Sequence, residues 1–403
     1  MKRVGKLTMV VAGVVLVGNG VWAQEMEKKA PDTWEFSTTL GSQFSDNRDG
    51  LKSNKESNVD VYLTPRGDLR WRDGERSYLD VFVMPSVKWH SNPRAKTQGD
   101  GLNETELFGA AGVDLMHMIT PRVMVGGGDT FSYTDDPDIT EGGTSVRRSA
   151  SYYLNSANAN VNVGLTEKVG AALTGGAVTK RYTDDIVAQD QDEDNYTGEF
   201  DLKYMMGAGY NVFGLVGLTD LNAQSAGAGT RDRGSAVISY GVGVEKIFSP
   251  DFIGKVSGGY QHAEFDDETL DSTDTANGHG ELTFRAASPT RFRVGATYGY
   301  FAPYVRPYSL QTLTAVNGAI DHDVLQNRLT LTLLGQYSQG DYDDEGAGLP
   351  GGKDKLGTVG LRGNYMIDRN WAVSAGYSYE KWDSDVRESF DRNLVDVGVT
   401  AKL

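Results

Sequence analysis

The sequence predicts an all-β protein, namely a transmembrane antiparallel up-and-down β-barrel of about 18 strands, with about 16 as the alternative count. Apolar and polar residues alternate with a period of two along most of the chain, as in strands that have one apolar and one polar face. Short connections alternate with long polar ones, as in outer-membrane barrels with turns on one rim and loops on the other. Beyond residue 23 no apolar run is long enough for a membrane-spanning helix.

The first 23 residues have the three parts of a secretory signal peptide. Cationic residues open the segment, and an apolar stretch of about 11 residues follows, too short to span ~30 Å of hydrocarbon as a helix. Val21 and Ala23 occupy the two positions that a signal peptidase recognises, so we expect cleavage before Gln24. The chain is therefore predicted to contain a signal peptide at 1–23, a short periplasmic leader at 24–33 and a barrel domain at 34–403.

Composition narrows the class of protein. The chain has no cysteine, so disulfides do not contribute to its stability. Its formal net charge is −16, and loss of the signal-peptide cations leaves about −19. Binding to phosphates requires surplus Lys and Arg, so this charge argues against nucleic acid as a partner. The 50 glycines and 20 tyrosines fit either a large soluble all-β protein or a transmembrane barrel.

The first strands show the alternation clearly. Segments at 34–44, 59–70 and 79–89 each alternate, and Asp73-Gly74 between the last two is a strong signal for a hairpin turn. Further segments with the same pattern are at 107–118, 153–165, 169–181, 196–208, 212–221, 236–246, 252–262, 292–300, 309–320, 329–337, 359–367 and 371–381.

The last segment, 393–403, places Val395, Val397, Val399, Ala401 and Leu403 on one face. A terminal amphipathic strand of this kind resembles the C-terminal signature of bacterial outer-membrane barrels, although their final residue is more often aromatic. We therefore expect the barrel assembly machinery to contact the chain through this strand. An edge strand of a soluble sheet is the alternative interpretation of this segment alone.

The connections fall into two length classes, which predicts a periplasmic rim of short turns and an extracellular rim of long loops. Most of the negative charge lies in the long connections. The predicted short connections are 72–76, 119–122, 166–168, 209–211, 249–251, 288–290, 321–327 and 367–370. The predicted long connections are 45–57, 91–104, 134–149, 183–195, 222–234, 266–279, 340–355 and 383–392, with a tighter one at 301–308.

The polar faces of the predicted strands carry charges of both signs, which indicates a water-filled lumen. These charges either form salt bridges that stiffen the barrel or set up a transverse field that orients dipolar solutes. The candidate pore-lining residues are Arg66, Arg70, Lys88, Lys203, Glu199, Asp201, Lys255, Glu281, Arg285, Arg293, Arg362 and Glu380.

The acidic loops and the histidines do not form a recognisable chemical site. Asp190, Asp192 and Asp194 have the spacing that opens a calcium-binding EF-hand loop, but Asn195 stands where that loop requires glycine. We expect a solvated acidic rim that meets the divalent cations bridging lipopolysaccharide. The five histidines lack metal-ligand spacing, and the sequence has neither a nucleophile elbow nor a phosphate-binding loop. We therefore predict no catalytic, metal or cofactor site.

Several segments resemble the family described as putative beta-barrel porin 2. They are Ser45-Asp46-Asn47, E-S-N-V-D-V-Y-L-T-P at 56–65, W-R-D-G-E-R-S-Y at 71–78 and the closing strand through Leu403. The resemblance implies an outer-membrane barrel, and some members resemble conduits encoded with exopolysaccharide machinery. It implies no catalytic residues and does not identify a substrate.

These observations predict a channel in the outer membrane of a Gram-negative-type bacterium that passes hydrophilic solutes, with exopolysaccharide export as a more specific version. The expected partners are outer-membrane lipid and lipopolysaccharide, the assembly machinery, and a hydrophilic solute or polysaccharide. Two alternatives remain open. One is a structural or surface-interaction barrel whose lumen is blocked by its own loops, and the other is an outer-membrane hydrolase.

Overall fold

A computed structural model gives the structure of most of the predicted barrel domain. It describes residues 33–48, 50, 52–53, 55–74, 76–91, 105–134, 140–141, 144–145, 151–183, 192–223, 234–268, 270–285, 289–301, 308, 311–342, 351–386 and 388–403. The predicted signal peptide and nearly all of the predicted leader therefore lie outside the described residues. None of the described residues forms a helix that is long and apolar enough to cross a membrane.

The described chain forms 18 long strands in one sheet and a separate pair of two-residue strands. The long strands contain 12 to 16 residues each. In chain order the strands are β1 (Thr33–Ser45), β2 (Asn58–Asp73), β3 (Ser77–His90), β4 (Thr105–Thr120), β5 (Val123–Thr134), β6 (Thr140–Glu141), β7 (Thr144–Ser145), β8 (Tyr152–Gly164), β9 (Val169–Tyr182), β10 (Glu193–Gly207), β11 (Tyr210–Ala223), β12 (Ser235–Ser249), β13 (Phe252–Phe265), β14 (Thr273–Phe284), β15 (Thr290–Phe301), β16 (Gln311–Val324), β17 (Leu329–Tyr342), β18 (Gly352–Met366), β19 (Trp371–Ser384) and β20 (Phe390–Lys402).

The large sheet closes on itself, because β1 pairs with both β2 and β20. Every long strand pairs antiparallel with its chain neighbours, and β5 pairs with β8 because the small β6–β7 hairpin lies between them. At the seam Leu403 donates a backbone hydrogen bond to Phe36 at 2.9 Å, and the hydroxyls of Thr39 and Thr400 lie 2.9 Å apart. The prediction of a closed barrel with 18 strands is therefore confirmed.

The two faces of the sheet differ in chemistry. Val395, Val397 and Val399 are 41%, 49% and 42% exposed and point to the same face as the exposed Trp34. Residues that lie opposite each other on paired strands share a face, so the register carries this apolar outer face round the whole barrel. Burial of such a surface requires an apolar surrounding, and a bilayer supplies it.

Aromatic side chains are concentrated on the outer face near both rims, as in the girdles of membrane barrels. Near the short turns, Phe248 stacks on Phe252 at a centroid distance of 4.7 Å, and Phe284 stacks on Phe292 at 5.3 Å. On the outer face near the long loops, the rings of Tyr133 and Tyr153 are 4.9 Å apart.

Short turns close one rim, which we call the short-turn rim; the other is the long-loop rim. Gly74 has φ +56° between β2 and β3, a left-handed conformation that the predicted Asp-Gly turn requires. Between β16 and β17 three non-glycine residues adopt positive φ, namely Leu325, Gln326 and Asn327.

Several predicted loop boundaries were wrong, because the strands extend further than the alternation indicates. The predicted loop at 266–279 overlaps β14, which begins at Thr273, and those at 340–355 and 383–392 overlap the ends of four strands. Beyond the apolar band both faces of a strand meet water, so the sequence loses its period of two there while backbone pairing continues. The strands are accordingly longer than the ~10 residues that crossing a bilayer requires.

Candidate functional site

The inner face of the barrel, which we call the lumen face, carries most of the predicted candidate residues. On β10, Phe200 and Leu202 are exposed on the outer face, so Glu199, Asp201 and Lys203 lie on the lumen face. The same alternation and register place the other candidates on the lumen face of their strands, namely Arg66, Arg70, Lys88, Lys255, Glu281, Arg293, Arg362 and Glu380. Arg285 follows directly after the last residue of β14. Their role as pore-lining residues stays a prediction.

On β2 the lumen cations are held by carboxylates and by an aromatic ring. Arg66 donates from Nη2 to Oδ1 of Asp68 at 2.7 Å, and its guanidinium carbon lies 4.7 Å from the centroid of the Phe82 ring. Arg70 lies 3.8 Å from a carboxylate oxygen of Glu35 on β1. These contacts fix the cations against the wall, so they shape the local field without projecting far into the lumen.

His90 lies between two carboxylates at the long-loop end of β3. Its Nδ1 is 2.6 Å from Oδ1 of Asp60, its Nε2 is 2.7 Å from Oε2 of Glu106, and its side chain is fully buried. Sequence reasoning missed this triad, because Glu106 falls at the boundary between a predicted loop and a weakly alternating segment.

A second cluster lies near the short-turn ends of β10 to β13. Lys203 donates to Oε1 of Glu245 at 2.6 Å, and the Asn211 amide donates to the same oxygen at 2.6 Å. Close by, Nζ of Lys255 lies 4.6 Å from the centroid of the Phe213 ring. Glu245 is almost fully buried, so its charge is compensated by these donors and not by water.

Ion pairs continue on β15 to β20. Arg291 holds Asp323 through two hydrogen bonds of 2.5 and 3.0 Å, and the guanidinium of Arg362 lies 3.1 Å from Asp396. Glu380 accepts a hydrogen bond of 2.6 Å from a third arginine, Arg392. The sequence left two interpretations of these charges, namely salt bridges that stiffen the barrel and a transverse field. Several of the predicted lumen charges form salt bridges in the structure.

Side chains of the lumen face are buried to different extents along the barrel. Near the long-loop rim Tyr152, Tyr182, Trp382 and Phe390 have 1% to 7% of their surface exposed, although all four lie on the lumen face. Halfway down the barrel, Leu334 is 40% exposed on the same face. Aromatic side chains of the lumen face are therefore packed near the long-loop rim, and burial varies along the rest of that face.

The described part of the acidic rim does not form a cation site. Asp192 and Asp194 lie 3.9 and 2.6 Å from the guanidinium nitrogens of Arg181, so an arginine already occupies the space beside both carboxylates. Asp190 lies outside the described residues, among which no cluster of three His, Asp or Glu side chains is arranged to hold a metal ion. On the same rim, a hydrogen bond to Asp391 raises the pKa of Lys55.

A closed sheet of 18 strands with an apolar outer face and a polar, charged inner face defines a porin-like β-barrel. Barrels of this type lie in the outer membrane of Gram-negative bacteria. Residues 220–403 match the model of the family putative beta-barrel porin 2, so the resemblance found in the sequence is confirmed over that range. The matched range contains the nine strands β12 to β20.

Solved structures similar to this chain include a porin and siderophore receptors, all at low identity. OccAB4 of Acinetobacter baumannii is 12% identical, with 93% of this chain and 99% of that chain covered at a TM-score of 0.46. A BenF-like porin from Pseudomonas fluorescens Pf-5 is 14% identical, with 93% and 100% covered at 0.48. OpdK of Pseudomonas aeruginosa, solved with vanillate, is 10% identical, with 92% and 99% covered at 0.49. None of the curated proteins matches the chain.

Proposed function

We propose that this barrel passes hydrophilic solutes passively across the outer membrane. The observation that carries the proposal is the chemistry of the lumen face, where charged and amide side chains replace the apolar filling that a closed soluble barrel would need. In this proposal the chain is exported with residues 1–23 removed, and it is inserted into the membrane through β20 by the assembly machinery.

Export of an exopolysaccharide is the more specific version of the same proposal. Its support is the resemblance to the porin 2 family, and no individual residue favours it. The proposal includes no catalytic step, and its support is that several lumen charges are engaged with one another in ion pairs.

A second candidate function is a structural or surface-interaction barrel with a closed lumen. The packing of Tyr152 with Tyr182 and of Trp382 with Phe390 near the long-loop rim favours it, because these two apolar clusters lie on the lumen face at that level. The two candidates differ in one measurable property, the flow of ions through the barrel.

The deciding experiment is single-channel conductance of the mature protein refolded into planar bilayers. Stable open steps support solute passage. A folded barrel, recognised by different gel mobility in heated and unheated SDS samples, that gives no steps supports the closed barrel. A double variant, Trp382→Ala with Phe390→Ala, then tests the site of the block. These rings stack at 6.2 Å between centroids, so their removal is expected to increase conductance if this packing narrows the path.

A further inference from the structure

The lumen wall formed by β5, β8 and β9 differs from the rest of the lumen face. Between the level of Lys180 on β9 and the short-turn rim, the described residues on the lumen face of the three strands carry no charged side chain. Glycine, serine, threonine and asparagine dominate instead. We call this surface the neutral wall and define it by Thr130, Asn158, Asn160, Asn162 and Thr174 with the glycines beside them.

Three asparagines form a column on β8 in the centre of the neutral wall. Asn162 donates from Nδ2 to Oδ1 of Asn160 at 3.1 Å. The Asn160 amide lies over Gly126 of β5, where an added Cβ would approach its atoms to 3.1 and 3.2 Å. Asn158 lies over Gly128 in the same way, and its side chain is exposed. Glycines on β5 thus let the amides lie flat against the wall while they remain accessible from the lumen.

Carboxylates border the neutral wall on both sides. In the strand register Asp114 of β4 is opposite Gly128, and Glu199 of β10 is opposite Thr174. The cations Lys180 and Lys203 that adjoin the wall are both engaged. Lys180 is only 3% exposed and lies 4.5 and 5.2 Å from the ring centroids of Tyr152 and Tyr182, and Lys203, opposite Gly170 of β9, is paired with Glu245 at 2.6 Å. An anionic solute moving along this wall would therefore meet carboxylates on both sides and amides in the middle.

We propose that the neutral wall is the path for uncharged polyhydroxylated solutes, that is, the saccharide class, and that it disfavours anions. Each amide offers two donors and an acceptor, and each bordering carboxylate offers acceptors, which matches sugar hydroxyls that both donate and accept. This inference rests on the proposed function and adds the chemical class of solute and the residues that contact it.

The test is equilibrium binding of maltohexaose, a neutral oligosaccharide, to the mature protein in lipid nanodiscs free of glycosidic detergent. Isothermal titration compares the wild type with Asn158→Ala/Asn160→Ala, for which we expect about tenfold weaker binding because two amide contacts are lost. The matched control is Asn317→Ala on β16. Asn158 and Asn317 are each the seventh residue from the long-loop end of their strand, and both are exposed on the lumen face, but Asn317 lies outside the neutral wall.

A second variant, Asn158→Asp/Asn160→Asp, keeps the side-chain shapes in case the alanine variant fails to fold. It should bind the anion glucuronate more weakly than the wild type does. Equal binding of maltohexaose by all variants, or wild-type binding of glucuronate as tight as that of the neutral sugar, would overturn the inference. Conductance is measured in parallel. Channels without variant-sensitive sugar binding overturn the inference and leave the proposed function standing, whereas variant-sensitive binding without channels overturns passage through the barrel and with it the path along the neutral wall.

Discussion

Lys203 on β10 and Glu245 on β12 form an ion pair across the strand that lies between them, with 2.6 Å between Nζ and Oε1. The carboxylate side chain is 3% exposed and also accepts from Asn211 on the intervening β11. Three adjacent strands are thus tied together on the lumen face near the short-turn rim. Such a pair matters to the free energy of unfolding mainly when one partner is removed, because the partner that remains is then a buried and poorly compensated charge.

Lys203→Met is therefore expected to lower the free energy of unfolding by about 3–5 kcal/mol, since it removes the cation that is hydrogen-bonded to the buried carboxylate of Glu245. The double variant Lys203→Met/Glu245→Gln should recover most of this loss, because no uncompensated charge remains. Guanidinium unfolding of the refolded barrel, followed by tryptophan fluorescence, measures both changes.

The matched control is the pair of Lys353 and Asp341, whose charged atoms are 3.0 Å apart and whose side chains are 56% and 38% exposed. Lys353→Met should leave the unfolding midpoint unchanged, because water already solvates both charges. A control variant as unstable as Lys203→Met would show that burial does not determine the effect.

Leu333 and Leu334 on β17 test the assignment of the two faces. They are 46% and 40% exposed, but Leu333 pairs with the outer-face residue Ile320, whereas Leu334 pairs with Ala319 on the lumen face. Leu333→Arg should lower stability by about 2–4 kcal/mol, the cost of a cation on the lipid face near the bilayer midplane. Leu334→Arg should leave stability nearly unchanged. Folding yield into liposomes and unfolding free energy distinguish the variants, and equal losses would contradict the assigned faces.

Alternation in the sequence was sufficient to predict the closed barrel, because the period of two is local information. The predicted total of about 18 strands needs β5 and β14, but the sequence pattern did not define where these two strands begin and end. Glycine runs such as Gly126-Gly127-Gly128 and polar stretches such as 273–279 hide their alternation. These two segments are strands because they pair with the strands on either side of them, and their own side chains give little indication of it.

The partners of the candidate residues could not be predicted from the sequence. Glu245, Asp396 and Arg392 became part of the site only through the register of separate strands, which no local pattern specifies. The packing at the long-loop rim was missed for the same reason. Phe390 falls in the predicted loop at 383–392, and Trp382 lies between that loop and the predicted segment at 371–381, so the sequence did not place either ring on the lumen face.

Export predicts a defined new N-terminus. The mature protein isolated from outer membranes should begin at Gln24, because Val21 and Ala23 suit the peptidase and the apolar stretch is too short to anchor the chain. Intact-mass measurement determines this directly. Ala23→Arg should leave the signal peptide attached, whereas Ala23→Ser should be processed normally, since serine is also small. Retention of residues 1–23 in the wild type would contradict the predicted organisation.

His90 is expected to hold the long-loop ends of β2, β3 and β4 together. Its imidazole separates Asp60 from Glu106, and the exposed surface of its side chain is zero. His90→Leu puts an apolar side chain in place of the imidazole but leaves the buried carboxylate of Glu106 facing the partly buried one of Asp60, so the free energy of unfolding should fall by roughly 3–5 kcal/mol. Glu106→Gln in the same background removes one of these charges and should restore a large part of the stability. Denaturant unfolding of the wild type and both variants tests this, and an unchanged midpoint for His90→Leu would show that the carboxylates are solvated without the histidine.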